Sequence, residues 1–327
     1  MIATGSSWPN LPLFPVDGRR IITSKEALDL AAIPASILIV GGGVEGCEFA
    51  SLYRGLGARV TMVELMPRLL PLEDAEIAGV IERELKKQGV EIHAGTTVSQ
   101  LHQEPAGVTA ELKSGERITV EQILVSVGRG FNSRGIGLEQ VGVAVGRRGE
   151  ITVNRRMQTS VPGIYAIGDV VGEAMLAHVA SAQGKVAVEN ILGRDREIDY
   201  TVIPAGIFTL PEIGRVGLTE EQARERGQIR VGRFRYAGLG KAQATGDTIG
   251  LVKVIADASS DRVLGVHIIG AHATDVIHEA ALALQLGATA GAVAGMIHAH
   301  PTLSEALMEA AEDTEGLAIH AARKRTP

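Results

Sequence analysis

A glycine-rich segment constrains the fold of this chain more than any other feature. It reads Gly-Gly-Gly-Val-Glu-Gly, follows the apolar run Ile37–Val40 and leads into a helical pattern over Val44–Gly57. Gly41 is predicted to make the tight turn, Gly43 to admit a close approach to the backbone, and Gly46 to let helix and strand pack closely. The alternative is a turn that only packs. The strand–turn–helix context favours an α/β fold in which a pyrophosphate lies at the helix N-terminus.

An acidic residue, Glu64, stands at the end of the next predicted strand, Arg59–Val63. In a dinucleotide-binding fold, an acid at this place accepts hydrogen bonds from both ribose hydroxyls and repels a 2′-phosphate. Arg68 is near in sequence but follows Pro67, so we expect it to point elsewhere. The sequence therefore predicts NAD as cofactor rather than NADP. The alternative is a surface glutamate that only caps the strand.

Strand and helix patterns alternate along the first 128 residues. A capping box from Thr23 to Glu26 predicts a short helix through Leu30. Apolar residues then recur at helical spacing up to Gly89, and a hairpin is predicted around Ser114-Gly115. Later predicted elements are the strand Ile164–Asp169, the helix Leu176–Leu192, strands near Val202–Thr209, Val231–Tyr236, Gly250–Ala256 and Val263–Ile269, and helices Thr274–Leu286 and Ser304–Glu312.

Composition excludes several classes of protein. Hydrophobic residues make up 45% and charged residues 21%, which is typical of a soluble globular chain. The net charge of −6 gives no indication of nucleic acid as a partner, and no apolar run approaches the ~20 residues of a membrane span. The first residues lack the features of a secretory signal, and one cysteine excludes an internal disulfide framework. We expect a cytoplasmic protein with neither membrane nor nucleic acid as partner, and a solvated basic tail at residues 323–325.

A second nucleotide-type signature surrounds the dipeptide Gly168-Asp169, at the end of a predicted strand. The residues that open the next helix are Met175, Leu176, Ala177 and His178. An acid at a strand end beside a helix N-terminus is suited to binding polyol hydroxyls and ring edges. Read alone, the same pattern is an ordinary strand–turn–helix.

A candidate general base lies near the end of the chain, in His300-Pro301-Thr302-Leu303-Ser304-Glu305. The pattern places a histidine close to a carboxylate that can orient it. The alternative is a capping box, in which Glu305 only satisfies the backbone at Thr302 and His300 is a buried histidine.

The single cysteine and five further histidines are interpreted as structural. Cys47 lies inside the first long helix and is expected to be a small core residue. No metal site is predicted, because five further histidines lack metal-ligand spacing with a carboxylate. These histidines are His178, His267, His272, His278 and His298.

Taken together, the motifs resemble those of the pyridine nucleotide–disulfide oxidoreductases, most closely the members that oxidise dihydrolipoamide with NAD. The matching segments are Ala3–Ser6, Gly41–Phe49, Val63-Glu64, Pro67–Pro71, Val125–Arg129, Thr159–Asp169, Met175–His178, Pro211-Glu212, Gly217–Thr219, Lys241–Ala244 and His298–Glu305. The resemblance implies an α/β chain with a Rossmann-type NAD-binding domain, a remnant of a flavin-binding Rossmann-like domain and a C-terminal α+β dimerisation domain. The implied boundaries are 1–22 for the end of the flavin domain, 23–128 for the NAD domain, 129–196 for the returning flavin segment and 197–327 for the dimerisation domain.

The resemblance also implies roles for individual residues. NAD would be contacted by Gly41, Gly43, Gly46, Glu48, Glu64, Val98 and Gly128, and FAD would be held by Asp169, Met175, Leu176, Ala177 and His178. His300 would take a thiol proton from dihydrolipoamide, while Glu305 fixes its tautomer. In this family, electrons pass from dihydrolipoamide to a disulfide, to FAD and on to NAD. The base serves the disulfide of the other subunit, so a homodimer is expected.

Two departures from the family pattern shape the functional expectation. The family's N-terminal flavin fold, with its Cys-x4-Cys disulfide, is missing from this sequence, and Glu45 replaces the usual Ile beside the pyrophosphate. We therefore expect a truncated or split oxidoreductase that is inactive alone and is completed by a separate flavin-domain chain or works within a 2-oxoacid dehydrogenase complex. The alternative is a non-catalytic NAD-binding dimerisation module. Glutathione and mercuric reductases are disfavoured by Glu64 and by the lack of C-terminal cysteines.

Overall fold

The structure is a computed structural model that describes residues 1–104 and 107–321. Contacts divide it into two compact units. The first contains Met1–Leu11 and Gly128–Thr201, and the second contains Pro12–Val127 and the described residues from Val202 onwards. The four predicted domain boundaries remain predictions, and the predicted basic tail at 323–325 lies outside the described residues.

The strands of the described chain fall into four sheets. In chain order they are β1 (Ser6–Ser7), β2 (Ile21–Ile22), β3 (Ser36–Val40), β4 (Arg59–Glu64), β5 (Glu91–Ala94), β6 (Val98–Glu104), β7 (Gly107–Leu112), β8 (Arg117–Val120), β9 (Gln122–Val125), β10 (Gly130–Phe131), β11 (Ala205–Ile207), β12 (Glu212–Gly217), β13 (Ile229–Arg235), β14 (Leu251–Asp257) and β15 (Val263–Gly270). Their orders are β1-β10, β2-β9-β3-β4-β5, β6-β7-β8 and β11-β12-β15-β14-β13.

The helices connect and cover these sheets. In chain order they are α1 (Ser24–Ala27), α2 (Val44–Gly55), α3 (Ala75–Lys87), α4 (Leu138–Val141), α5 (Ala177–Ile191), α6 (Glu220–Arg226), α7 (Gly240–Thr245), α8 (Ala273–Gln285), α9 (Ala290–Ala294) and α10 (Glu305–Glu312). Short 3₁₀ turns occur at Gly168–Val171, Tyr236–Gly238 and Asp313–Glu315. None of the helices in the described ranges is both long and apolar enough to cross a bilayer.

The second unit is built on the parallel sheet β2-β9-β3-β4-β5. Its central strand β3 is apolar from Ile37 to Val40, and Ile37, Leu38 and Ile39 are fully buried. A continuous apolar run is typical of a parallel strand that is covered on both faces. Helix α2 joins β3 to β4 and α3 joins β4 to β5, so this part is a Rossmann-type α/β arrangement.

An antiparallel sheet of five strands forms the C-terminal part of the same unit, with α8 packed on β12 and β15 and α10 packed on β13 and β14. Its core is continuous with that of the parallel sheet. Ile207, Ile213, Leu251 and Ile269 belong to the same buried cluster as residues of β3, β4, α2 and α3. The predicted α/β fold with a C-terminal α+β part is confirmed.

The first unit is smaller and has two apolar clusters of its own. Here the predicted strand Ile164–Asp169 is wrong. Tyr165 and Ala166 form only isolated bridges, to Gln158 and Ile2, and Gly168–Val171 is a 3₁₀ turn. Tyr165 and Ala166 each pair with one residue only, so the segment does not form a strand ladder.

Several element ends also differ from the sequence-based expectation. The capping box of Thr23 and Glu26 is present as predicted, but α1 ends at Ala27 rather than Leu30. The hairpin of β7 and β8 is confirmed. Strand β6, which extends it into a three-stranded sheet, was not predicted. Strand β6 is mostly exposed and polar, so its pattern carries little signal for a strand.

A buried ion network joins the two sheets of the second unit. Lys253 on β14 is 2% exposed, and its Nζ lies 2.9 Å from both carboxylate oxygens of Asp74. The same nitrogen lies 2.6 Å from Glu220 Oε2 and 3.3 Å from Glu76 Oε2. Arg233 adds bonds to Glu76 at 2.7 Å and to Glu220 at 2.8 Å. The N-termini of α3 and α6 are thereby held on β13 and β14.

The charges of this network fix its dependence on pH. Burial alone would raise the pKa of Asp74 and of Glu220, but bonds to Lys253 outweigh burial and hold both below their usual values of 3.8 and 4.5. Burial alone would lower the pKa of Lys253, but Glu220 and Asp74 raise it above its usual 10.5. The carboxylates therefore stabilise the fold above their unfolded pKa values, and this is lost as pH falls through the folded ones. The lysine contribution is lost only as pH rises above 10.5.

Replacing the lysine tests this description. Lys253→Met should lower the free energy of unfolding at pH 7 by about 3–5 kcal/mol, because it leaves buried carboxylates without a counter-charge. The difference from the parent should shrink in acid, where those carboxylates become protonated. The measurement is urea unfolding at several pH values.

The matched control is Lys86→Met, since Lys86 also lies 2.6 Å from a carboxylate, that of Glu82, but its side chain is 53% exposed. An exposed pair of this kind contributes at most about 0.5 kcal/mol. Equal losses in the two variants would contradict the role of the buried network.

Candidate functional site

The glycine-rich turn between β3 and α2 has the geometry that its spacing predicts. Gly41 has φ +110°, and a Cβ there would lie 2.0 Å from the carbonyl oxygen of Ser126. A Cβ on Gly46 would lie 1.9 Å from the carbonyl oxygen of Gly41. Both positions therefore accept only glycine. These two residues close the turn and bring α2 against the sheet.

Gly43 differs because its surroundings are open. It precedes α2 as the N-cap with φ −73°, and a Cβ built on it meets no atom within 4 Å. No side chain caps the helix at this residue. The N-terminus of the twelve-residue helix α2 therefore has open space beside Gly43, where the unsatisfied N–H groups of a first turn and the helix dipole favour an anion. The place fits a pyrophosphate.

Glu64 closes the other side of this turn. Its carboxylate accepts hydrogen bonds from the N–H of Gly42 at 2.5 Å and from the N–H of Met66 at 2.6 Å. The residue is 8% exposed, so it is buried rather than on the surface. Each carboxylate oxygen can accept a further hydrogen bond. Contact with ribose hydroxyls remains a prediction, and the structure adds a second role in fixing the turn.

Residues near Val98 approach the same strand end. The N–H of Thr96 donates to the carbonyl oxygen of Glu64 at 3.1 Å, and the N–H of Gly95 donates to that of Met66 at 2.9 Å. Val98 itself is buried. The predicted adenine-flanking backbone and the predicted ribose acid thus lie together at the carboxyl end of β4, as ligand sites in open α/β sheets do.

Glu48 lies on α2, one turn beyond the glycines. Its Oε1 accepts a hydrogen bond from the N–H of Phe208 at 2.8 Å. Burial raises the pKa of Glu48, and the nearby charge of Glu45 raises it further. Glu45 is half-buried on the first turn of α2, beside the open face at Gly43.

Cys47 is a core residue, as the sequence predicted. Its side chain is fully buried, and its Sγ lies 3.5 Å from the carbonyl oxygen of Gly42. Burial raises the pKa of the thiol well above its usual range, and the carboxylates of Glu64 and Glu48 add to this. The sulfur is therefore held as a thiol and is not available for exchange.

The predicted flavin-binding residues lie in the first unit. Asp169 accepts a hydrogen bond from the hydroxyl of Ser6, whose oxygen accepts one from Arg129 Nε at 2.6 Å. The side-chain oxygen of Gln183, on α5, accepts the N–H of Gly168 at 2.6 Å and so ties the Asp169 turn to that helix. Leu176 is the N-cap of α5, and Met175, Ala177 and His178 are exposed around it. Gly128, a predicted NAD contact, also belongs to the first unit and has φ +103°.

His300 and Glu305 form a direct pair. Nδ1 of His300 lies 2.9 Å from Glu305 Oε1, and the N–H of Thr302 donates to Glu305 Oε2 at 2.8 Å. Burial alone would raise the pKa of Glu305, but the bonds from Thr302 and His300 hold it below its usual value. The side chain of His300 is 73% exposed, so the buried-histidine alternative is wrong.

The same geometry shows what the pair can do. A carboxylate only accepts, so Nδ1 carries the proton that it donates to Glu305, and Nε2 keeps a lone pair. That nitrogen belongs to an exposed ring and can take a proton from a bound thiol. The capping-box alternative holds in part, because Glu305 also satisfies Thr302, while the Thr302 hydroxyl donates to the carbonyl oxygen of Ala299 at 2.8 Å.

One cluster of possible metal-ligating side chains occurs within residues 1–104 and 107–321. Glu91, His93 and Glu116 each place one ligand atom within 4.8 Å of the others, and both glutamates are exposed. Their ion pairs with His93, at 3.1 and 3.5 Å, account for the proximity. The expectation of no metal site remains a prediction.

Comparison with known proteins agrees with this geometry. Residues 1–184 match the family described as pyridine nucleotide-disulphide oxidoreductase, and residues 203–311 match its dimerisation domain. A dihydrolipoyl dehydrogenase from Bacillus subtilis is 45% identical over 98% of the chain and 69% of that protein. One from Thermus scotoductus is 44% identical over 98% of the chain and 70% of that protein.

Solved structures give the same result. The crystal structure of LpdA from Mycobacterium tuberculosis superposes with a TM-score of 0.89 at 33% identity, over 95% of this chain and 68% of that one. The flavoprotein disulfide reductase RclA from Escherichia coli superposes with a TM-score of 0.89 at 30% identity, over 94% of this chain and 72% of that one. Sequence and structure together show that the chain belongs to the pyridine nucleotide–disulphide oxidoreductases, a family of FAD- and NAD-dependent enzymes.

Proposed function

We propose that this chain is the NAD-binding and base-bearing part of a dihydrolipoyl dehydrogenase-like enzyme, which oxidises dihydrolipoamide to lipoamide with NAD. The observation that carries this proposal is the exposed His300 imidazole with its Nδ1 on Glu305 at 2.9 Å. An ordinary helix N-terminus would require only that the carboxylate of Glu305 accept the N–H of Thr302, and it would not require the imidazole. The 40–45% identity to dihydrolipoyl dehydrogenases supports the choice of substrate.

The nucleotide residues fit NAD. The N-terminus of α2 and the open face at Gly43 would receive the pyrophosphate, and Glu64 would accept from the ribose. Asp169 and the N-terminus of α5 would hold part of the flavin. When bound, the two cofactors supply the two-electron transfer that protein side chains do not supply.

His300 supplies the acid–base chemistry. Nε2 takes the proton of a substrate thiol, and the positive charge that forms on the ring is balanced by Glu305 through Nδ1. The resulting thiolate attacks a disulfide. Cys47 is the one cysteine of the sequence and is buried as a thiol, so residues 1–327 do not supply the disulfide that accepts this attack. The chain alone should therefore be inactive.

A dimer is the arrangement that these surfaces support. Ile297, next to the His298–His300 segment, is 97% exposed, and Leu282 on α8 and Leu286 at the C-cap of that helix are exposed as well. Large apolar side chains that stay exposed together mark interaction surfaces. We propose that they pair two copies, or this chain with a flavin-bearing relative or with a 2-oxoacid dehydrogenase complex.

A second candidate function is a non-catalytic NAD-binding dimerisation module. It is favoured by the single buried cysteine, because a nucleotide site and a dimer surface need no redox sulfur. Both candidate functions include the NAD site, and they differ in whether His300 acts as a general base.

The first expected outcome concerns the choice of cofactor. The 327-residue chain should bind NAD(H) more tightly than NADP(H) in titration calorimetry, because Glu64 offers acceptors to the ribose and repels a 2′-phosphate. Glu64→Gln should reduce that preference by about 1–3 kcal/mol. Glu82→Gln, a change at an exposed ion pair on α3, is the control and should leave both affinities unchanged. Equal affinities in the parent would show that Glu64 does not select the cofactor.

A second outcome concerns the three glycines. Gly43→Ala should leave the free energy of unfolding within about 0.5 kcal/mol of the parent, since its Cβ meets no atom, yet weaken NAD binding at least about tenfold. Gly46→Ala should destabilise the chain by about 1–3 kcal/mol or more through its clash with Gly41. Gly55→Ala, at an open position on the same helix, is the control and should be neutral or slightly stabilising. Unchanged NAD affinity in Gly43→Ala would place the pyrophosphate elsewhere.

A third outcome concerns His300. The chain alone should form no NADH from dihydrolipoamide. Co-expression with a full-length relative that keeps its flavin and disulfide but lacks its base should restore activity, because a heterodimer combines that disulfide with His300 of this chain.

The matched variant is His300→Ala, which should restore no activity, while His272→Ala, an exposed histidine elsewhere in the same part, should restore as much as the parent. If His300→Ala restores activity fully, the catalytic role is wrong and the non-catalytic module gains support.

A further inference from the structure

A second histidine, His298, lies two residues before His300 and has the opposite environment. Its side chain is 2% exposed, whereas that of His300 is 73% exposed. Nδ1 of His298 lies 2.9 Å from the carbonyl oxygen of Met296, and Nε2 lies 2.9 Å from Oε1 of Glu279 on α8. Both ring nitrogens are thus engaged within the protein.

The identity of these partners determines the protons on the ring. A carbonyl oxygen only accepts, so Nδ1 must donate to Met296. An ionised carboxylate also only accepts, so Nε2 must donate to Glu279. A neutral imidazole carries one N–H and cannot make both bonds. Either His298 carries two protons or Glu279 carries one.

The surroundings favour the charged ring. A buried charge is tolerated when it is paired and its hydrogen bonds are satisfied, and both conditions hold for His298. Glu279 is half-buried and keeps contact with water, which favours its ionised form. The charged groups known to act on His298 are Glu279 from α8 and Glu305 from α10, whose pKa His298 helps to lower.

We infer that His298 is an imidazolium held by Glu279, and that this ion pair is the positioning element that fixes the segment carrying His300. The positioning role rests on the proposed function. The charge of His298 and its bond to Glu279 do not depend on catalysis. Glu279 lies on α8, whereas Glu305 of the His300–Glu305 pair lies on α10.

The need for such an anchor follows from the exposure of His300. Its own ring is held by one bond to Glu305 and has little packing around it. The backbone before it must therefore be fixed from elsewhere. His298 does this by joining the carbonyl of Met296 to α8, while Thr302 ties the carbonyl of Ala299 to the start of α10. The direction in which Nε2 of His300 points depends on both the His298 and the Thr302 contacts.

The experiment counts ring protons directly. Long-range ¹⁵N–¹H spectra of the ¹⁵N-histidine-labelled chain at pH 7.5 should show two protonated nitrogens for His298, assigned from its loss in His298→Gln. The internal reference is His267, which is also buried, bonds the carbonyl of Leu218 through Nε2, and has its pKa lowered by burial. It should show one N–H. One protonated nitrogen on His298 would overturn the inference, because Glu279 would then hold the proton.

Two variants at Glu279 separate charge from position. Glu279→Gln keeps a side-chain group that can donate to Nε2, so His298 should become neutral with one N–H while the His300 signals stay in place. Glu279→Leu removes the partner, so the Nδ1–H signal of His300 should broaden through exchange with water. An intact fold in circular dichroism is required for both variants. An unchanged His300 signal in a folded Glu279→Leu variant would show that the pair does not position His300.

These outcomes do not depend on cofactor binding or turnover. If NAD fails to bind or complementation fails, the proton count at His298 still decides the ion pair. If His298 carries one proton while complementation succeeds, the proposed function stands and the positioning pair falls.

Discussion

The buried ammonium of Lys253 is the contact on which the arrangement of the second unit depends most. Its neighbours are Asp74 and Glu76 at the start of α3 and Glu220 at the start of α6. A buried charge costs several kcal/mol unless opposite charges and hydrogen bonds compensate it. The parallel and antiparallel sheets therefore cannot move apart without leaving an ammonium or a carboxylate unpaired. The apolar core that the two sheets share is non-directional, so this network supplies the geometric definition that the core lacks.

The network is also connected to the glycine-rich turn between β3 and α2 through one loop. That loop begins after Glu64 and ends at Asp74, which caps α3 and bonds Lys253. In its middle, the N–H of Leu70 donates to the carbonyl oxygen of Gly42 at 2.8 Å, and Glu64 accepts the N–H of the same glycine. The carbonyl of Gly42 is thus held by the loop, and its N–H is held by the residue that precedes the loop. The open face of the turn is set in advance by contacts that extend to the antiparallel sheet, so a ligand does not have to order it.

The parts of the site that the sequence predicted are the local ones. Gly41 and Gly46 could be placed because their need for glycine arises within a few residues of the turn. The role of Lys253 was missed, because a lysine inside a strand reads as solvent-facing and its partner Asp74 is 179 residues away. The second role of Glu64 was missed for a related reason, since spacing does not show which backbone N–H a carboxylate will reach. The predicted strand at Ile164–Asp169 failed because strand formation depends on partners that a local pattern does not reveal.

The protons carried by the two histidines of the His298–His300 segment likewise depend on partners that a local sequence pattern does not reveal. Alternate residues of one short segment differ fully in exposure because one ring turns toward Glu279 on α8 and the other toward Glu305 on α10. The protons that each ring carries follow from these partners. A ring enclosed between two acceptors has no nitrogen to offer a substrate, whereas a ring with one acceptor and one open side has a base to offer. The open ring nitrogen of His300 is therefore a product of helix packing, since the same residue type two positions away has both of its ring nitrogens engaged by partners.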